Sequence, residues 1–304
     1  MVKIEFGDSD YPFLLKRLPN PPKQLYVEGN KEILNNDMIA VVGSRNNTEY
    51  GKTWCEVFCR NLLKYNLNIV SGMAVGIDSI AHWTSIKEEI PTIAVLPCGF
   101  DNIYPVENIG LFKKIIEGGG VVISEYNSSV EANSKRFIER NRIVAGLSIG
   151  VLVVEAAHRS GTSITAQIAK NIGKNVFCIP GSLENSKSVG TNNLIKEGAF
   201  IATDVKDIVK KYKWLKKIRK TNNIKMDNVK IESEDTGEKK ESQEDEAIDE
   251  KYRKIYELIP KEGININEIV TQNNLNLSEV MEKITILEIM GKIKRKAGNK
   301  YFKI

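Results

Sequence analysis

Seven short runs of apolar and β-branched residues recur along the first two thirds of the chain. They are Ile39–Val42, Asn68–Val70, Thr92–Leu96, Val121–Ser124, Gly150–Val154, Asn175–Ile179 and Phe200–Ala202. The runs are continuous rather than alternating. A strand with one face in water alternates apolar and polar residues, so a continuous run belongs to a strand covered on both faces. Between most of the runs lie stretches with helical apolar spacing: Trp54–Tyr65, Ile77–Lys87, Leu111–Glu117, Phe137–Leu147 and Ile164–Ile172. Strand–helix–strand repetition implies a parallel sheet with right-handed crossovers, a doubly wound α/β domain. Seven strands exceed the six of the usual dinucleotide fold. Upstream, Pro12, Pro19, Pro21 and Pro22 precede Leu25-Tyr26-Val27. Residues 1–37 therefore read as an irregular lead-in with one short edge strand.

At 304 residues, 41 % hydrophobic and 27 % charged, the chain has room for about two globular domains that need no disulfide staples. No apolar run is long enough to span a bilayer. Met1–Phe6 lacks an apolar signal core, so secretion is not expected and a cytoplasmic location is. The net charge of +5 is unevenly spread. Residues 1–205 balance 21 basic against 21 acidic side chains, residues 206–220 carry a net +7, residues 221–250 a net −7, and residues 251–304 a net +5. The acidic stretch is poor in large apolar residues and reads as a solvated linker. The expected organisation is a lead-in over 1–37, an α/β domain over 38–212, a charged linker over 213–250 and a small domain over 251–304. An anion site in the large domain must be built locally, because that domain has no excess charge.

Gly43-Ser44-Arg45, Ser71-Gly72 through Gly76, Pro97-Cys98-Gly99, Ser160-Gly161-Thr162 and Pro180-Gly181 follow successive strands. In an open parallel sheet such loops share one rim, where ligands bind. Several lead into helices, whose starts offer free N–H groups and a positive dipole end, and glycine lets the backbone approach a phosphate. The G-x-G-x-x-G fingerprint is missing from the first two loops, and Asn46 stands where a P-loop would need glycine, so neither a dinucleotide cofactor nor NTP hydrolysis by that route is expected. Asp78 is expected to cap a helix. Arg45 sits in the first loop, where it either makes a surface salt bridge or binds phosphate. Lys135, Arg140, Asn141 and Arg142 cluster around Phe137. On a helix, positions 140 and 142 point apart, so both arginines can face one ligand only if the helix begins near Asn141. Phe137 is either a core residue or a platform for stacking a base, and a guanidinium suits bidentate phosphate contact.

Cys55, Cys59, Cys98 and Cys178 form no C-x-x-C pair, and His82 and His158 are far apart. No metal site is expected, and the cysteines read as buried hydrophobes in a reducing compartment. H-E-x-x-H and G-x-S-x-G are absent, so no catalytic residue is assigned.

Several of these segments together resemble the DNA-processing protein A (DprA/Smf) family. They include Val41-Val42-Gly43-Ser44-Arg45 with Tyr50-Gly51, Val70-Ser71-Gly72-Met73-Ala74-Val75-Gly76-Ile77-Asp78 with Ala81-His82, and Tyr104-Pro105 with Ser124-Glu125. Phe137-x-x-Arg140-Asn141-Arg142-Ile143-Val144-Ala145-Gly146-Leu147-Ser148, Ser160-Gly161-Thr162-Ser163-Ile164-Thr165-Ala166, and Gly190-Thr191-Asn192-Asn193 complete the match. It runs in order over residues 11–203. The resemblance implies an extended Rossmann-like domain that binds single-stranded DNA, dimerises and loads the RecA recombinase during natural transformation. It implies phosphate-contacting loops at Gly43-Ser44-Arg45, Ser71-Gly72, Arg140-Asn141-Arg142 and Ser160-Gly161-Thr162. The chain departs from the family in having no room for an extra helical domain before Asp8–Asn30, in Thr162-Ser163 where Ser-Leu is usual, and in Lys135-Arg136 where proline is frequent.

Residues 251–304 read as three helices (Tyr252–Ile259, Ile266–Gln272 and Leu277–Met290, with Ser278 as N-cap) and a hairpin around Ala297-Gly298-Asn299, a winged-helix pattern. The third helix carries Glu279, Glu282 and Glu288 against Lys283, and an acidic face repels phosphate. This module is therefore not expected to read duplex sequence through that helix. Two other readings compete. A phosphoribohydrolase-like enzyme would need a glutamate where Thr165 stands, although Glu125 and Glu155 remain near the rim. A winged-helix regulator with a ligand-sensing α/β domain would prefer duplex to single strands.

Overall fold

A computed structural model describes residues 1–158, 160–215, 250–260 and 262–273, together with 280, 283, 284, 287, 292–296 and 300–303. The chain divides into two compact units, Met1–Met226 and Asp227–Ile304.

The first unit is built on one nine-stranded sheet. Its strands are β1 (Val2–Glu5), β2 (Gln24–Gly29), β3 (Met38–Val42), β4 (Asn68–Ser71), β5 (Ile93–Leu96), β6 (Val121–Ser124), β7 (Gly150–Val153), β8 (Asn175–Cys178) and β9 (Phe200–Ile201). Their order is β1-β2-β6-β5-β4-β3-β7-β8-β9. Every pair from β6 to β9 is parallel, so all seven runs expected as strands lie in one parallel sheet. The helices are α1 (Glu49–Leu63), α2 (Ile77–Lys87), α3 (Ile109–Glu117), α4 (Ser134–Leu147), α5 (Gly161–Asn171), α6 (Val189–Lys196) and α7 (Val205–Val209).

The continuous apolar runs have the cause expected of them. Met38, Ala40 and Val42 of β3 pack with α4, α5 and the lead-in, while Ile39 and Val41 pack with α1, α2 and the segment around Tyr212. All five are buried. A second layer on the latter face joins α3 to β5 and β6 through Leu111, Ile115, Ala94 and Val122. This is the doubly wound α/β architecture. The strand order reverses between β3 and β7, which leaves a crevice outside their carboxyl ends.

The lead-in departs from expectation. Leu25–Val27 is not an edge strand, because it forms the centre of β2, antiparallel to β6 on one side and to β1 on the other. The edge is β1, a short strand with only Ile4 buried. Four residues with one core contact carry too weak a pattern to be seen in sequence. No helix among the described residues is long and apolar enough to cross a membrane.

In the second unit, α8 (Glu250–Glu257) and α9 (Ile266–Asn273) accompany a three-stranded sheet of order β10-β12-β11. The strands are β10 (Ile264–Asn265), β11 (Ile293–Lys296) and β12 (Lys300–Lys303). The hairpin strands pair as expected, and β10 adds a third strand. Ile255, Ile259, Ile269, Ile284, Leu287 and Tyr301 form a core of their own. The turn at 297–299, the cap at Ser278 and most of the helix expected over 277–290 lie outside the described residues, as do positions 216–249 of the linker.

Candidate nucleic-acid interface

A cleft of about 470 Å³ opens at the β3–β7 switch point. Its floor is the turn after β3, Gly43-Ser44-Arg45-Asn46, and its walls come from Gly72 and Ala74 after β4, the first half of α4, and the start of α5. Each wall is tied to the next. Thr162 Oγ1 donates to Gly43 O at 3.0 Å, which fastens the start of α5 to the first loop. Ile77 N–H donates to Ser44 O at 3.1 Å. The loops can approach this closely because Gly76 has φ +83° and because a Cβ at Gly43 would collide with Ile77. These glycines serve loop packing. Gly161, by contrast, opens α5, is exposed, and has nothing within 4 Å of where a Cβ would sit. The first N–H groups of α5 have no intrahelical acceptor. Ser160 caps the helix by accepting from Ser163 N–H, and the positive end of α5 faces the cleft.

Arg45 is exposed and has no carboxylate partner among the described residues. Its guanidinium lies 4.7 Å above the Phe137 ring, and Tyr104 meets the same ring edge-on at 5.6 Å. Phe137 is half-buried, with Arg45 stacked over its ring. It is neither a core residue nor a free platform.

The two arginines of α4 take separate paths. The helix starts at Ser134, capped by Asn133, and not near Asn141. Asn133 Oδ1 accepts from Arg136 N–H at 2.9 Å, so the polar run Ser134–Arg142 is helical and positions 140 and 142 diverge. Arg140 is buried at 3 % exposure and lines the cleft. It donates to Gly72 O, and to Val95 O at 2.6 Å. Burial lowers its pKa to about 10, Asp78 raises it and Arg45 lowers it further, so the group stays charged at neutral pH. Arg142 lies outside the cleft and spans both Glu125 oxygens at 2.6 Å. Asn141 lines the cleft, whereas exposed Lys135 does not and pairs with Glu139 at 3.7 Å. Ser71 is buried beneath the rim, donating to Val41 O at 2.6 Å. The cleft therefore gathers Gly43, Ser44, Arg45, Gly72, Phe137, Arg140, Asn141, Ser160, Gly161 and Thr162, and leaves Ser71, Gly76, Lys135 and Arg142 outside its lining.

Asp78 does not cap α2. The N-cap is Gly76, and the buried Asp78 carboxylate accepts from Gly72 N–H at 3.1 Å. Burial raises its pKa, and Arg140 pulls against that. Glu155, buried at 1 %, accepts from Thr48 N–H at 3.0 Å and Thr48 Oγ1 at 2.5 Å. With Glu125 held by Arg142, both carboxylates named near the rim are engaged in structural contacts. Lys187, in the long loop after β8, also lines the cleft. A single lysine 9 residues beyond Cys178 carries no local signal in the sequence of where the loop returns. Among the described residues no cluster of three metal-ligating side chains occurs, and all four cysteines are free and buried.

Comparison with known proteins gives one consistent family. The profile of the family described as DNA recombination-mediator protein A matches residues 3–213. Protein Smf of Escherichia coli is 41 % identical over 204 residues, covering 67 % of this chain and 54 % of that protein. This chain thus spans about half the length of that relative. DNA processing protein DprA of Bacillus subtilis is 37 % identical over 206 residues, covering 67 % and 69 %. Among solved structures, the crystal structure of DNA processing protein A from Streptococcus pneumoniae superposes with a TM-score of 0.66 at 38 % identity, covering 69 % and 73 %. The Helicobacter pylori protein, described in a study of its single-stranded DNA binding mode, gives 0.62 at 31 %, covering 69 % and 94 %. With the profile spanning more than two thirds of its length, the chain belongs to the DNA recombination-mediator protein A family.

Proposed function

We propose that the cleft at the β3–β7 switch point binds single-stranded DNA and that the protein is a recombination mediator rather than an enzyme. The observation that carries the reading is the arrangement around Phe137. An unpaired, exposed guanidinium sits on an aromatic ring, beside a helix N-terminus and glycine-lined backbone. Phosphates are met by Arg45, Lys187 and the first N–H groups of α5, while the fixed charge of Arg140 lends a positive field from below. A base stacks on the outer face of the exposed Arg45 guanidinium, which is itself seated on the Phe137 ring. Stacking of this kind is tolerant of sequence, and single strands present the unpaired faces it needs. Family membership supports the further reading that two copies associate and that the RecA recombinase is a partner, while the hairpin and the acidic residues Glu279, Glu282 and Glu288 of the sequence support a small C-terminal winged-helix module that does not select duplex sequence.

The test is a titration of a labelled (dT)20 single strand and the matching duplex at several salt concentrations. The single strand binds more tightly. Arg45→Ala weakens binding to all single strands alike and makes the slope of log affinity against log salt shallower by about 0.7, the loss of one phosphate contact. Unchanged affinity and slope in Arg45→Ala, or a preference for duplex, overturns the proposal.

A further inference from the structure

A second cavity, of about 400 Å³, lies at the opposite rim of the sheet. Three of its lining residues immediately precede strands: Asp37 before β3, Ile149 before β7 and Lys174 before β8. Arg17 and Lys174 meet there, neither with a carboxylate partner among the described residues. Burial and Arg17 together lower the Lys174 pKa, so the fold holds two cations against their mutual repulsion. Lys174 alone could be read as completing the negative end of α5, but that role does not require Arg17 beside it. Two large rings flank the cations. Phe13 is 58 % exposed and Trp214 61 % exposed. The single carboxylate in the cavity, Asp37, accepts from Trp214 Nε1 at 3.1 Å and so fixes the indole in place. Trp214 also packs edge-on against buried Tyr212 at 5.4 Å. Exposed Lys210, Lys211 and Lys213 border this aromatic pair in sequence, in the segment of the chain with the greatest basic excess.

We infer that this cavity is a second nucleotide-binding site, with phosphate held between Arg17 and Lys174 and a base stacked on Trp214. The ligand is a nucleotide, either free or as one unit of a single strand. The site shares no residue with the cleft at the carboxyl rim and stands independently of it.

Calorimetric titration of the full chain with (dT)4 tests the inference. Two equivalents bind to the unsubstituted protein. The double variant Arg17→Glu/Lys174→Glu binds one, the double variant Arg45→Glu/Lys187→Glu binds one, and the combined variant binds none. Trp214→Ala weakens the second site about tenfold, whereas Trp214→Phe, which keeps a ring, stays within about twofold. Because Lys174 is half-buried, Lys174→Gln is run beside the double variant and circular dichroism checks both folds. Titration of Arg45→Glu/Lys187→Glu with thymidine 5′-monophosphate, thymidine and inorganic phosphate separates the sources. Binding of the monophosphate identifies a free nucleotide, and binding of (dT)4 alone identifies a strand. A single equivalent that Arg17→Glu/Lys174→Glu leaves untouched overturns the inference and spares the carboxyl-rim reading. Loss of all binding in that variant, with Arg45→Glu/Lys187→Glu unaffected, does the reverse.

Discussion

Arg140 shows how a residue of the right type can be committed to the protein's own backbone. Its guanidinium closes on the backbone of the turn after β4, at Gly72 O, and of strand β5, at Val95 O, and so ties that turn to the neighbouring strand. A Cβ at Gly72 would overlap that guanidinium, and at 3 % exposure the arginine has nowhere to move. Gly72→Ala should therefore cost about 1–3 kcal/mol of stability through overpacking, read as a lower melting temperature together with weaker single-strand binding. His82 gives a pH signature. Thr92 Oγ1 donates to Ile69 O at 2.8 Å, so its lone pair accepts from His82 Nδ1–H at 2.8 Å and Nε2 is left bare and unpartnered. Burial, aided by Arg140, holds the imidazole down to about 3 from its ordinary 6.5. Below pH 6.5 the unfolded chain gains a proton that the folded chain refuses. Stability from this group is complete above pH 6.5 and falls towards pH 3 by about 1.4 kcal/mol per unit. In His82→Gln, denaturant melts between pH 4 and 6 should lose about one proton from their pH dependence. An unchanged slope would show that another group governs acid unfolding.

At the scale of elements, the start of α1 is where sequence and tertiary contacts meet. Thr48 caps the helix through Gly51 N–H at 3.1 Å and also donates to Glu155, just beyond β7. Gly51 is needed because a side chain there would occupy the place of the Glu155 carboxylate. Thr48→Ala should cost about 1–2 kcal/mol, the usual worth of a cap, with Thr48→Ser recovering most of it in thermal melts. The ranges of α2 and of most strands were legible from apolar spacing alone, because burial on both faces of a parallel sheet leaves few polar positions to confuse it. The start of α4 was not. Ser134–Arg142 has no apolar stripe, so periodicity places the helix late, while Asn133 and its contact to Arg136 N–H place it early. That shift separates Arg140 from Arg142. The Asn133-Ser134 pair carries the capping signal in the sequence, and here capping sets the helix start where periodicity does not.

At the scale of the whole molecule, the first 205 residues are electrically balanced, and the cleft draws on few cations. Binding should then show a shallow salt dependence, with a slope magnitude of about 1.4 for contacts from Arg45 and Lys187. The two units have separate hydrophobic cores, so a chain ending at residue 226 should fold and keep its single-strand affinity within about twofold. A larger loss would assign part of the interface to the C-terminal unit. The sequence by itself determined the doubly wound sheet, the glycine-rich rim and most of the residues that line it, since these depend on local periodicity and on turns that directly follow strands. Only the tertiary structure decided which cations remain free. Arg45 is left over an aromatic ring, while Arg140 is spent on carbonyls and Arg142 on Glu125. It also placed Arg17 beside Lys174, 157 positions away. Pairing of charges is a property of distance in space, and the order of residues along the chain carries almost none of it.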